Sequence, residues 1–208
     1  TYTLNSSDPD FINLHGGGTA IETFTYTLKD ADGDSSSAKL VFNVTNIDDP
    51  VVIKGLDICG GELTFYEKNL TEGSSPNPGE LTKGGTFTVI APDGLQSLTI
   101  GGLSIVSGGV VAGFPQHGTT PMGNGFTIHS YDPSTGVVTA SYTLENTSTH
   151  QSGNGANNIL ESLEVVAVDT DGSTAKANVD VNIVDDVPLA VDDTNAVTAT
   201  EAHLTLTG

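Results

Sequence analysis

No arginine and no tryptophan occur in the 208 residues, and six lysines face 26 aspartates and glutamates, for a formal net charge of −20. Nucleic-acid binding needs clustered basic side chains to displace counterions from phosphates, so this balance excludes it. An anionic membrane surface is disfavoured for the same reason. Apolar runs are also short: none reaches the ~18 residues of a membrane span, so no membrane insertion is expected. The polar start Thr1-Tyr2-Thr3-Leu4 reads as neither a signal nor a transit peptide, and the segment is expected to be soluble and internal to a longer chain. The single cysteine, Cys59 in Ile58-Cys59-Gly60-Gly61, rules out an internal disulfide framework and any multi-cysteine zinc site. It is expected to be a neutral thiol.

Catalytic signatures are equally sparse. His15, His117, His129, His150 and His203 stand singly, without an H-x-x-x-H pair, and each is expected in solvent or a loop. No Gly-x-Ser-x-Gly elbow occurs, and Gly16-Gly17-Gly18 and Gly108-Gly109 lack the Lys and Ser/Thr of a phosphate loop. Paired carboxylates for glycoside hydrolysis occur by chance in any acidic sandwich. The lack of Trp and Arg argues against a sugar-stacking, charge-clamping cleft, so the chain is expected not to be an enzyme.

What is present is a foldable, strand-rich composition. Leu, Ile, Val and Phe number 17, 11, 19 and 7, about 26% of the chain, above the ~20% level below which acidic chains stay unfolded. Twenty-eight Thr and 25 Gly punctuate short alternating segments, which points to an all-β sandwich. Strands are predicted over 23–28, 39–44, 85–90, 97–100, 136–144, 163–168 and 177–183. In the last, Val179, Val181 and Ile183 share one face and Asn178, Asp180 and Asn182 the other, a half-buried strand. Ala31-Asp32-Gly33, Pro92-Asp93-Gly94, Asp132-Pro133-Ser134-Thr135-Gly136 and Thr170-Asp171-Gly172 are turn signals. Residues 107–125 and 146–158 read as long surface connections. The first of these, with Phe114, His117 and Met122, is the place a glycan or peptide would be gripped if the segment were a ligand-binding module.

The pattern repeats. Tyr2-Thr3-Leu4 recurs as Tyr142-Thr143-Leu144, and Lys29-Asp30-Ala31-Asp32-Gly33 aligns with Val168-Asp169-Thr170-Asp171-Gly172 at an offset of 139. Asn46-Ile47-Asp48-Asp49-Pro50 matches Asn182-Ile183-Val184-Asp185-Asp186-Val187-Pro188 with small gaps. Residues 1–49 are therefore read as the C-terminal part of one repeat, 50–187 as a complete repeat, and 188–208 as a linker and the opening of a third. Asp48-Asp49-Pro50 and Asp185-Asp186-Val187-Pro188 place two carboxylates beside a residue with fixed φ, which suits stiff connectors.

With Asp57, Tyr66-Glu67-Lys68-Asn69-Leu70-Thr71-Glu72-Gly73-Ser74, Ala91-Pro92-Asp93-Gly94-Leu95-Gln96-Ser97-Leu98-Thr99-Ile100, Ser130-Tyr131-Asp132-Pro133, Val168-Asp169-Thr170-Asp171-Gly172 and Ile183-Val184-Asp185-Asp186-Val187-Pro188, residues 50–188 resemble the roughly 140-residue repeat of bacterial type I secretion targets. Ala190-Val191-Asp192-Asp193, followed by Thr200-Glu201, is similar to the start of related cadherin-like repeats. Such repeats belong to giant adhesins of the RTX type. The resemblance implies tandem immunoglobulin-like (cadherin-like) β-sandwiches rigidified by Ca²⁺, secreted to the bacterial cell surface. It also implies that their partners are neighbouring repeats of the same chain and, through other domains, host-cell or surface glycans and proteins.

Clustered carboxylates repel, by about 1 kcal/mol for two charges 4 Å apart in water and several-fold more when partly buried. Ca²⁺ resolves this by taking 6–8 oxygen ligands in irregular geometry. If 163–168 and 177–183 form the last hairpin, its turn, with Asp169 and Asp171, lies at the N-terminal pole facing Asp48 and Asp49. Glu67 then belongs at the other pole with Asp185, Asp186 and Asp192 or Asp193. Asp30 and Asp32, with Asp34, would face a linker preceding this chain. Asp34 becomes Ser173 in the second copy, which weakens any site needing a third turn carboxylate. The plain alternative is that these acids are solvated turn caps.

Overall fold

A computed structural model describes residue 3 and residues 18–45, 48–56, 61–153, 155–188, 190 and 192. Asp57, Cys59, His15, His203 and Asp193 lie outside the described residues, as do most of the two terminal segments. The described residues form an all-β fold with very little helix, as the composition predicts. Its strands are β1 (Thr19–Lys29), β2 (Ser35–Thr45), β3 (Val52–Lys54), β4 (Leu63–Tyr66), β5 (Thr82–Ile90), β6 (Leu95–Ile100), β7 (Leu103–Ser107), β8 (Val110–Val111), β9 (Gln116–Thr119), β10 (Gly125–Asp132), β11 (Val137–Thr143), β12 (Asn158–Asp169) and β13 (Thr174–Val184). Two short 3-10 turns, Glu67–Asn69 and Pro78–Glu80, separate β4 from β5.

Strands β3 to β13 form two sheets, ordered β3-β5-β11-β10-β9 and β4-β13-β12-β6-β7-β8. Their inward faces make one core. Phe87, Val89, Phe126, Ile128, Val138 and Tyr142 come from the first sheet, and Phe65, Leu98, Ile100, Leu163, Val165, Val181 and Ile183 from the second. Phe65 and Tyr142 meet across the layers with ring centroids 5.2 Å apart, within the range of favourable aromatic pairs. Neighbouring strands are antiparallel except β4, which runs parallel to β13. This is the sandwich that alternating hydrophobic patterning requires, because each half-buried sheet must cover its apolar face with another layer.

All seven predicted strands are present, and two expectations need correction. Residues 107–125 are not a plain connection: they hold β8 and β9, and β9 pairs with β10 from Gly125 opposite Thr119 to Ile128 opposite Gln116. Their glycines make room for packing. A Cβ on Gly118 would lie 2.3 Å from the Phe126 ring, so this position seats a core aromatic, as does Gly101 outside the segment, where a Cβ would lie 2.7 Å from the same ring. Asp180, expected on the solvent face of β13, is buried. It accepts a hydrogen bond from the Ser162 hydroxyl on β12, and its N–H donates to Glu62. The segment leading into β4 covers that face, which strand periodicity alone does not reveal.

Strands β1 and β2 form a two-stranded sheet of their own. They repeat the β12–β13 hairpin closely. Both pair continuously into a turn whose first Asp caps it: Asp30 accepts from the N–H groups of Gly33 (3.0 Å) and Asp34 (2.8 Å), and Asp169 from Gly172 (3.0 Å) and Ser173 (2.8 Å). The glycine that completes each turn has positive φ, 108° at Gly33 and 102° at Gly172, a conformation disfavoured by any Cβ. What differs is burial. Leu163, Val165 and Ala167 are in the core, while Phe24, Tyr26 and Leu28, at the offset of 139, are 46%, 53% and 69% exposed.

Candidate metal centres

Strand β12 explains why acids gather at both ends of the sandwich. Its inward positions alternate as Glu161, Leu163, Val165, Ala167 and Asp169, all buried, so the period that fills the core continues into a carboxylate at each pole.

At the N-terminal pole, one carboxylate oxygen each from Asp48, Asp93 and Asp171 lie within 4.8 Å of one another. Asp48 arrives from the segment preceding β3, Asp93 from the β5–β6 turn and Asp171 from the β12–β13 turn. Backbone and hydroxyl donors fix them. The Ser173 hydroxyl donates to Asp48 Oδ1 and Oδ2 at 3.3 and 3.2 Å, the Asp49 N–H to Asp93 Oδ2 at 3.3 Å, and the Ser173 N–H to Asp171 Oδ1 at 3.1 Å. Thr170 ties the two turns together through its hydroxyl, which donates to the Asp93 carbonyl at 2.5 Å, and its N–H, which donates to the Gly94 carbonyl at 3.0 Å.

The electrostatics of this array are those of acids short of counter-charge. Burial first, and then the Asp171 carboxylate beside it, raises the Asp169 carboxyl above the ordinary range. Asp171 raises Asp48 likewise. Asp171 itself falls to about 2, held ionised by the neighbouring Asp169 carboxyl and the Ser173 N–H. Asp169 Oδ2 and Asp171 Oδ2 are sealed from solvent and receive no hydrogen bond from any N–H or hydroxyl donor. Unpartnered buried carboxylate oxygens are costly. A hard cation with oxygen preference is what this donor set suits.

At the opposite pole Glu67 and Asp185 come together as the pole argument expects, but the third member is His150. Asp186 turns aside, accepting from the N–H (2.7 Å) and hydroxyl (2.5 Å) of Ser74. His150, expected as a solvated loop residue, has a side chain only 5% exposed. Above this cluster lies a buried polar network. Glu161 accepts from the Tyr142 hydroxyl and, at 3.1 Å, from the Met122 N–H. The fully buried Asn124 uses Oδ1 to receive the N–H groups of Glu145 (2.9 Å) and Asn146 (3.1 Å). It pins the start of the β11–β12 connection, which carries His150 further on.

The remaining predicted ligands are placed as follows. Asp49 contributes its backbone N–H rather than its carboxylate, and Asp169 lies beneath the Asp48 array rather than within it. Asp30, Asp32 and Asp34 form an exposed cluster at the β1–β2 turn, where Asp32 lowers the Asp30 carboxyl. Asp192 is exposed and joins none of the clusters found among the described residues. Sequence reasoning passed over Asp93, taken as a turn residue only, and His150.

Among the described residues no helix is long and apolar enough to cross a membrane. Comparison with family models, with curated proteins and with solved structures returns no match to this chain.

Proposed function

We propose that this chain is a non-enzymatic spacer segment of a large secreted bacterial surface adhesin, built from tandem sandwich repeats whose junctions are stiffened by Ca²⁺. One observation carries the reading: Asp48, in the segment that leads into the sandwich, converges with Asp93 and Asp171 from two turns of the sandwich itself. A cation held there by Asp48, Asp93 and Asp171 would neutralise mutually repelling charges and fasten the linker to the domain. Asp169, with its orphaned Oδ2, backs the array. The near-identical β1–β2 and β12–β13 turns support the tandem arrangement, since the hairpin preceding the linker has the form of the one that closes the sandwich.

Calcium modules outside cells bind with Kd of about 10⁻⁴–10⁻³ M, so such junctions fill after export and stay empty in a low-calcium cytosol. At a free Ca²⁺ of about 100 times Kd, filling one site adds about 2.7 kcal/mol to folding stability. The test is thermal unfolding with small-angle scattering in ~5 mM Ca²⁺ and in EGTA, on the wild type and on Asp171→Asn. Calcium should raise the Tm and straighten the wild-type particle while leaving the variant unchanged. Equal curves for the wild type in both buffers would remove the calcium mechanism.

A further inference from the structure

The pole opposite Asp48 carries a donor set of different chemistry. Glu67 follows β4, His150 lies in the connection between β11 and β12, and Asp185 follows β13. A ring nitrogen of His150 and one carboxylate oxygen each of Glu67 and Asp185 lie within 4.8 Å of one another. Strand β13 separates this cluster from Asp171 by its whole length of 11 residues, roughly 35 Å at ~3.3 Å per residue. The two clusters are independent.

His150 is the informative member. Its side chain is 5% exposed and that of Glu67 4%. Neither ring nitrogen has a hydrogen-bond partner, although both are sealed from solvent. Nε2 stands 3.2 Å from Glu67 Oε1, yet the contact lacks hydrogen-bonding geometry. A buried imidazole aimed at two carboxylates without bonding to either leaves polar atoms uncompensated at appreciable cost. An ion between them removes that cost. Two ligand atoms each about 2.0–2.1 Å from one tetrahedral centre are about 3.3–3.4 Å apart, close to the observed separation.

We propose that Glu67, His150 and Asp185 bind one divalent transition ion of the zinc class, at a site distinct from the calcium junction. Calcium prefers oxygen throughout, whereas imidazole nitrogen with carboxylates selects zinc and its neighbours. Supporting groups hold the ligands in place. The Ser148 N–H donates to Glu67 Oε1 at 2.6 Å, and the Asp185 N–H donates to the Asn157 carbonyl at 2.8 Å. The Asn157 side chain in turn donates to the Gln151 carbonyl at 2.6 Å, next to His150. Such second contacts orient metal ligands. Three protein ligands leave a further position open for water or for a side chain from a neighbouring molecule. The ion would clamp the 144–157 connection to the adjacent ends of β4 and β13, which pair with each other in parallel.

The experiment titrates Zn²⁺ alone into the whole chain held in saturating Ca²⁺, by calorimetry and by thermal shift, with His150→Asn in parallel. One tight site and a raised Tm in the wild type are expected, with affinity reduced at least about tenfold in the variant. The variant should keep the full calcium response, which reports the other pole and fails separately if the spacer reading is wrong. No zinc binding by the wild type, or equal binding by both proteins, overturns the proposal. Should His150→Asn fail to fold, Co²⁺ loaded into the wild type decides. Hyperfine-shifted ring protons assigned to His150 support the site, and unshifted His150 protons refute it.

Discussion

Ser173 Oγ donates to both carboxylate oxygens of Asp48, at 3.3 and 3.2 Å, joining two residues 125 positions apart. In the equivalent turn of the first hairpin the same position is Asp34, which completes a cluster with Asp30 and Asp32 inside one turn. The second turn replaces that internal third acid with a donor. Asp93 and Asp48 supply the missing carboxylates from outside, so the loss of Asp34 redirects the cluster toward the linker rather than abolishing it.

Asp48→Asn should separate charge crowding from cation binding. Asp171 raises the Asp48 carboxyl, so the folded state binds its proton more tightly than the unfolded state does. Asp48 therefore opposes folding increasingly as pH rises through its ordinary value and then its raised one. In EGTA at pH 7 the variant, which still accepts from Ser173, should melt at or above the wild-type temperature. In Ca²⁺ it should melt below it. A variant less stable than the wild type in both buffers would show that Asp48 is a structural acceptor only.

Asp132 provides a pH response away from the clusters. The Ser134 hydroxyl at 2.7 Å, with the Ser134 N–H at 2.9 Å and the Thr135 hydroxyl at 2.9 Å, lowers its carboxyl below the ordinary value. A depressed folded-state value contributes stability that is complete above about pH 4, the unfolded value, and fades as pH falls through the folded one. Urea unfolding of the wild type and Asp132→Asn in EGTA, between pH 2 and 7, should show a difference that shrinks toward the acid end. A pH-independent difference contradicts the assignment.

Tyr142 holds the buried Glu161, and Asn124 holds the start of the β11–β12 connection that carries His150. Tyr142→Phe leaves Glu161 buried without its hydroxyl donor, and Asn124→Ala strands the N–H groups of Glu145 and Asn146. Each should cost about 1–3 kcal/mol in equilibrium denaturation. Burial and the neighbouring Glu161 raise the Tyr142 phenol well beyond its usual range. The phenol should therefore stay silent in a spectrophotometric titration up to the pH of unfolding. Ionisation of all folded-state tyrosines near pH 10 would dismiss the buried contact.

Gly118→Ala tests whether the glycines of 107–125 are linker residues or seats in the core. A Cβ 2.3 Å from the Phe126 ring forces a buried aromatic to move, and overpacking of this kind costs about 1–3 kcal/mol. Gly113, with nothing within 4 Å of a Cβ, is the matched control and should tolerate Ala with little change. Equal stabilities for the two variants would mean that β9 yields freely.

Local pattern accounts for much of this protein. Alternation at Leu163, Val165 and Ala167, or at Val181 and Ile183, determines strands because a pleated backbone sends every second side chain to one face. The turns at Asp30 and Asp169 follow from an Asp that caps its own backbone and a Gly three residues on that accepts positive φ. The same alternation, followed outward from Leu163, also reaches the buried Glu161 and Asp169. Strands β3, β4 and β8 are too short to show a period, and β9 is interrupted by Gly118, whose missing Cβ seats the Phe126 ring. Hairpin topology already brings Asp171 toward Asp48 and Glu67 toward Asp185, but the third member of each cluster was decided only by tertiary structure. Asp93 joins Asp48 and Asp171 because β6 lies beside β12, which brings the β5–β6 turn to the β12–β13 turn. His150 reaches Glu67 and Asp185 because β4 runs parallel to β13, so that both strands end at the same pole. Convergence of residues so distant in the chain depends on strand order and layer packing, which no local period encodes.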